Sequence, residues 1–457
     1  MKKFRNVLVT SMMVAMMLSI SAGFNVTVKA DLNSQQYEGV KLNKDNFPDA
    51  NVRKILRKMD DNHDGFISIM EQKNQEDGAE LYLNIKKGTV NLKGISKLKA
   101  IESININGAK KKVKIKNFSE INQCKELKEL YLSNVKAGNI SLINTKKLKS
   151  VNIVSSKIKQ LTVSGNKKLK EFKSNLNTGK LKFGKNLKLT NVDISGKTKD
   201  VDITKLTNLT SLSLKGKELK KINLTKNKKI KNLWITNTNL SKLNLKNNKQ
   251  LTFVVIRGNK KIRNIDFSKN TKLDCLSVDG NSLEKLNLKN NKKLTILDCS
   301  NNKLEKLDLS NLTNLESLEC SGNQLLTLDL EKQVKLWDLN CSQNKLTKLD
   351  VTKLKELSHL TAGNNEIAQI DLSNCPKLYS AELNHTKLLT IDISKNINLD
   401  YLNIEGTSIK ELDVTNNNKM IRTDEYGKYA GYGVSCDENV VIKSNNEIVK
   451  AYKVNGN

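Results

Sequence analysis

Leu294, Leu315, Leu336, Leu357, Leu378 and Leu399 recur every 21 residues, and this period constrains the fold more than any other feature. Each opens a version of one pattern, LxxLxCxxNxLxxLDLS. The clearest copy carries Leu294, Leu297, Cys299, Asn302, Leu304, Leu307 and Leu309. Weaker copies begin at Ile101, Leu127, Leu148, Leu169, Leu189, Leu209, Ile230, Leu251 and Leu273, making 15 with the six above. A period of this length predicts a solenoid, in which no repeat buries its apolar face alone and neighbours must stack. The function of such a chain is then read from the surfaces it exposes.

Each repeat holds two apolar triplets that end in apolar–polar alternation. Alternation of period two predicts strand, so every repeat is expected to give two short strands to two parallel sheets. Asn302, Asn323, Asn344 and Asn365 fall in the turn between them, extended by Asn259 and Asn281 and replaced elsewhere by Thr238, Thr386 and Thr407. An inward asparagine there both donates to and accepts from neighbouring backbone. Cys299, Cys320 and Cys341 share one inward position that Leu or Ile fills in other repeats. Adjacent strands sit slightly too far apart for an unstrained bridge, so these cysteines read as small buried hydrophobes. Cys124 and Cys375 share another slot, three residues before a repeat start.

The pattern resembles bacterial leucine-rich-repeat proteins of the 21-residue class over residues 101–414. The resemblance implies a curved solenoid whose concave sheet carries the first triplet, and recognition of proteins or glycans as its use. Between 169 and 209 the match weakens: Lys199 stands where a second-triplet leucine belongs, so an irregular coil is expected there.

Residues 1–30 read as a secretion signal, with Lys2, Lys3 and Arg5 ahead of an apolar run and Val28-Lys29-Ala30 as the cleavage site. After its removal no transmembrane segment is expected.

Charge is unevenly placed. The chain carries a formal +32. Residues 101–272 hold 41 Lys and Arg against 10 Asp and Glu, a net of +31, whereas residues 273–414 hold 16 against 21, a net of −5. A basic half on a secreted rod suits a cell-wall polyanion. Aromatics are not interleaved with these lysines, which argues against a specific nucleic-acid reader.

Residues 31–100 form the expected helical cap. Within it, Asp60, Asn62, Asp64, Phe66 through its carbonyl, Ser68 and Glu71 match a calcium loop of the EF-hand type, with Gly65 at the sharp turn. Oxygen donors in that spacing suit a hard cation. An entering helix is expected from Phe47 to Met59, with Val52, Ile55, Leu56 and Met59 on one face. Ser68 and Glu71 make a capping box for an exiting helix. A helical cap ahead of such repeats is similar to that of the internalins, and Asn46–Asn51 followed by this loop resembles secreted repeat proteins of Firmicutes. Residues 415–457 lose the period and read as a β C-terminal cap closing the open sheet edge.

Outward positions on the first-triplet face are mostly small and polar, as at Ser211, Ser213, Ser317 and Ser321. Trp234, Phe253, Val255 and Arg257, with Asn232 beside them, fall on adjacent coils and read as an interface anchor. An acidic track of Asp279, Asp298, Glu319, Asp338, Glu382 and Glu405 runs beyond them. A further ladder, Asp308, Asp329, Asp350, Asp371, Asp392 and Asp413, is assigned to the second sheet, held by lysines such as Lys306 and Lys348 and by turn amides. The three histidines, His63, His359 and His385, converge on no nucleophile or metal set, so no enzyme is expected. The leading expectation is a secreted recognition protein for an extracellular protein or glycan. The alternative is a wall-associated structural protein held by its lysine-rich half.

Overall fold

The structure is a computed structural model that describes residues 39–75, 78–109, 112–423, 429–444 and 447–450. The expected secretion signal at 1–30 lies outside them. The described residues form a solenoid of parallel strands with a small cap at each end.

One parallel sheet runs the length of the molecule, from Glu80–Ile85 to Val434–Ser435. Its register advances by one repeat per coil, for example Cys275↔Ile296, Ile296↔Ser317 and Ser317↔Asp338. The sheet begins some twenty residues ahead of the boundary expected at 100, because Leu81, Leu83 and Ile85 alternate inward like any later first triplet.

The second sheet differs from expectation. It is laddered through Thr89–Asn91, Val113–Lys116 and Val135–Ile143 to the outer parts of Ser150–Ser164 and Glu171–Phe183, ending at Asp200–Asp202. From there to Glu411–Asp413 the second triplets are buried, apart from the partly buried Ile222, Ile370 and Ile391, but form no strand. Coils 283–388 are tied just after the asparagine turn, where Lys303 N donates to Leu283 O and Gln324 N to Leu304 O. Beyond that tie no strand ladder joins the outer sides, which are bridged instead by buried side-chain amides such as Gln333 and Asn396. The continuously laddered face, with strands about 4.8 Å apart, is therefore the more closely spaced, concave one. The stretch expected to be irregular keeps its ladder but shifts register at Asn175/Leu176: Glu171–Phe183 pairs with strands on both sides, and Thr198 is buried beside Lys199.

Two amide ladders hold the coils. In the expected one, Asn323 Oδ1 accepts from Leu304 N at 3.0 Å, and its Nδ2 donates to Cys299 O and Cys320 O at 3.0 Å. Asn302, Asn344 and Asn365 repeat this. The other ladder, Asn227, Asn248, Asn270 and Asn291, occupies the slot three residues before each repeat start, with each amide donating to carbonyls of the preceding coil. The cysteine ladder is free thiols, fully buried. Burial pushes Cys341 up to about 12, so these thiols stay protonated and behave as packing groups.

The Asp308–Asp413 ladder is stabilised by turn amides. Asp350 Oδ1 accepts from Thr352 N at 2.9 Å and Thr352 Oγ1 at 2.7 Å, and Asp371 from Ser373 N at 2.9 Å. These bonds hold Asp308, Asp350, Asp371, Asp392 and Asp413 below the usual carboxylate range. Among the described residues no ion pair joins Lys306 or Lys348 to this ladder.

At the far end, within the expected β cap, Val441–Ser444 forms a hairpin with Glu447–Lys450. It is more than a lid: Val434–Ser435 adds to the concave sheet and Val441–Ser444 pairs in parallel with Glu411–Asp413.

Candidate functional site

Two places gather the candidate side chains: the loop at 60–71 and the concave face. The loop lies between α1 (Ala50–Leu56) and α2 (Ile69–Lys73). α1 is shorter than expected because Asp49 caps it, accepting from Asn51 N and Val52 N. The other oxygen of Asp49 accepts from Asn91 N at 2.7 Å and ties the cap to the solenoid. Gly94 makes the tightest approach, with Asn46 O where a β-carbon would sit and φ of +95°. Ser68 and Glu71 form the expected capping box.

The loop's oxygens are held by its own donors. Asp60 Oδ1 and Oδ2 accept from Asp64 N and Gly65 N at 3.1 Å, and Asp64 Oδ1 accepts from Phe66 N at 2.7 Å. Asn62 Oδ1 also accepts from Asp64 N. Glu71 Oε1 accepts from Asp61 N at 3.1 Å, closing the loop end to end, while Oε2 takes Ser68 N and Oγ at 2.8 Å. Gly65 sits at φ +79°, the turn the spacing required. Phe66–Ile67 pairs antiparallel with Val40–Lys41, which braces the loop from outside.

A carboxylate offers about four lone-pair sites, so Asp60 and Asp64 each retain acceptor capacity. Asp60 and Glu71 are 6% and 7% exposed, and among the described residues no Lys or Arg pairs with either. Buried carboxylates without a cation, all-oxygen donors and the glycine turn fit calcium. The set is not fully gathered: among the described residues no three His, Cys, Asp or Glu side chains are grouped as a metal set. Two-oxygen ligation by Glu71 requires Ser68 Oγ to release Oε2.

On the concave face, Asn232–Thr236 pairs with Phe253–Arg257, so that Asn232 faces Phe253, Trp234 faces Val255 and Thr236 faces Arg257. All five expected anchor residues therefore lie on two adjacent strands. The Trp234 and Phe253 rings are 5.3 Å apart and tilted by 41°. They are half-buried against each other rather than openly exposed. Arg257 is not a free anchor: its Nε meets Asp279 Oδ1 at 2.6 Å and its Nη2 lies 3.6 Å from Asp298. Trp234 also lines a hollow of about 360 Å³ with Glu171, Lys173, Asn191, Asp193 and Ser213.

The sequence reading missed a second aromatic group. Trp337 and Tyr379 are 45% and 46% exposed, with His359 between them. Both stand one residue before their strands. The spacing of 42 residues, two periods, was the available signal. In the acidic track, the carboxyl of Glu319 is pushed up to about 7, by burial first and then by the charges of Asp338 and Asp298.

No protein-family model matches the chain, and no curated protein matches it. Among solved structures, a leucine-rich-repeat protein from Leptospira interrogans is similar at 21% identity, with 72% of this chain and 90% of that chain covered and a TM-score of 0.51. A TDR receptor is similar at 17% identity over 73% of this chain and 64% of that chain, with a TM-score of 0.50. The functional domain of InlJ from Listeria monocytogenes, which includes a cysteine ladder, aligns at 24% identity over 89% and 71% of the two chains with a TM-score of 0.47. The first two likenesses show the fold, a leucine-rich-repeat solenoid. Among the described residues no helix is long and apolar enough to cross a membrane.

Proposed function

We propose that the chain is a secreted or cell-surface recognition protein that binds an extracellular protein or glycan through its concave face. One observation carries this reading: the Trp234–Phe253 pair stands beside a hollow of about 360 Å³ lined by the polar and charged side chains of Glu171, Lys173, Asn191 and Asp193. Tryptophan is among the residues that most often carry the energy of an interface once a partner covers it. Arg257, held by Asp279, then orients the rim rather than reaching for the partner. Asn232 and Val255 complete the surface.

Calcium belongs to the cap in this proposal. Asp60, Asn62, Asp64, the Phe66 carbonyl, Ser68 and Glu71 would hold it. It would neutralise two buried carboxylates and fix the first coils, without taking part in recognition.

A second reading has its own observation. Lys185, Lys205 and Lys226 stack on successive turns around one hollow of about 310 Å³ on the basic half. Three cations so placed suit a repeating polyanion, and would hold the protein at a cell wall.

Trp234→Ala and Ser317→Ala separate the readings. An interface centred on Trp234 loses about 2 kcal/mol, roughly thirtyfold in affinity, with the first and little with the second. Equal binding by both variants sinks the reading centred on Trp234, and loss of that binding in about 1 M salt then supports polyanion retention.

A further inference from the structure

The far half of the concave face carries a separate feature. In the coils from 294 to 405, the strands and the residue ahead of each carry Asp298, Glu316, Glu319, Asp338, Glu382 and Asp400, and neither a lysine nor an arginine. That is a local inversion in a chain of formal charge +32. Among the described residues no ion pair involves Glu316, Glu319, Asp338 or Glu382. The carboxyl of Glu319 is raised by burial first and then by its neighbours Asp338 and Asp298.

Three rings sit inside this acidic field on consecutive coils. Trp337 and His359 are 6.0 Å apart and edge to face, and His359 and Tyr379 are 5.9 Å apart. Backbone bonds fix the column. Trp337 N donates to Glu316 O, Ser358 N to Trp337 O, Tyr379 N to Ser358 O and Asp400 N to Tyr379 O. The column thus reads Glu316, Trp337, Ser358, Tyr379, Asp400, with a carboxylate at each end. Asp338 lies beside it, in register with His359.

Exposed aromatic faces attract cations, and carboxylates around them add charge and hydrogen bonding. Trp337 and Tyr379 are two coils apart, about 10 Å, within the reach of side chains from one extended strand. Three convergent His, Cys, Asp or Glu groups that would suit a metal are absent among the described residues. We propose that this stripe docks an extended, lysine- and arginine-rich segment of a partner protein. It rests on the reading of the concave face as a recognition surface, but on different coils from Trp234.

The chain holds two tryptophans, so Trp234→Phe leaves Trp337 as the only indole reporter. The full chain is titrated at low salt with an extended peptide of alternating lysine and serine, its glutamate–serine counterpart and a neutral oligosaccharide. The lysine peptide should change Trp337 fluorescence and the other two should not. By calorimetry, Trp337→Ala, Tyr379→Ala and the double variant Glu319→Gln/Glu382→Gln should each weaken the lysine peptide about tenfold, while Thr252→Ala should not. Circular dichroism checks that each variant is folded. Unchanged binding by folded Trp337→Ala and Tyr379→Ala overturns the proposal, as do equal binding of the glutamate peptide, binding of the sugar alone, or no binding of the lysine peptide. If Trp234→Ala abolishes lysine-peptide binding and Trp337→Ala does not, this proposal fails while the Trp234 reading stands. If Trp337→Ala weakens the peptide while Trp234→Ala leaves every partner unaffected, the reverse holds.

Discussion

Replacing Asn323 by alanine should destabilise the solenoid by about 3 kcal/mol, and the loss can be followed atom by atom. Asn323 Oδ1 is the acceptor for Leu304 N, on a residue with no exposure. Without it that amide is orphaned away from water, at about 1–3 kcal/mol. The carbonyls of Cys299 and Cys320 fare better. Each still receives a second amide, from Asn302 at 3.0 Å and from Asn344 at 3.1 Å respectively. Their lost bonds therefore add only about 0.5–1 kcal/mol apiece. Asn323→Thr should recover part of the loss, since Thr386 serves the same slot by donating to Leu383 O at 2.7 Å. Asn311→Ala is the control, because among the described residues that exposed amide bonds only Ser310 Oγ, at 3.4 Å. Urea unfolding followed by circular dichroism reads all three. In a solenoid the damage falls on one interface between coils, so Asn323→Ala should also broaden or split the transition. An Asn323→Ala protein within about 0.5 kcal/mol of the parent would refute the assignment of the ladder as the seam between coils.

Other expectations follow from the cap, the charge and the acidic track. Calorimetry should detect one calcium per chain at millimolar concentration, lost in Asp60→Ala with Glu71→Gln, and calcium should raise the melting temperature; no heat from the parent protein counts against the loop. Protein bound to the producer's surface through its basic half should be released by about 1 M salt, where the Debye length is near 3 Å; retention in salt contradicts that reading. Glu319 holds its proton more tightly in the folded chain, from the ordinary 4.5 up to about 7, so stability should fall as pH rises through that window. The group is half-exposed and screened, which reduces the effect to about 1 kcal/mol. Glu319→Gln should match the parent near pH 4.5 and exceed it at pH 8, and a pH-independent difference would refute the cause given.

The leucine period made the coil legible because every first triplet serves one physical task, filling the interior beside a laddered strand. The second triplets show why legibility stops. Leu304, Leu307 and Leu309 alternate just as ladder residues do, and all three are buried. Whether they pair depends on how far the coils splay on their outer side, which residue type does not encode. The Asn227–Asn291 ladder was hidden for a different reason. The same slot holds Leu312, Leu354 and Cys375 elsewhere, so its asparagines read as turn residues rather than buried donors. Trp337 and Tyr379 escaped notice because they precede their strands. At the loop, glycine and oxygen spacing were legible, but the bonds that draw Glu71 to Ser68 were not.

The central claim is that recognition occurs on the concave sheet around Trp234. Oxidative footprinting of the free and partner-bound protein tests it at single side chains. The account predicts protection of Trp234 and Phe253 on binding, with the lysines of the outer turns, Lys185, Lys205 and Lys226, as open to amine labelling as before. Protection of those lysines with Trp234 unchanged would contradict it.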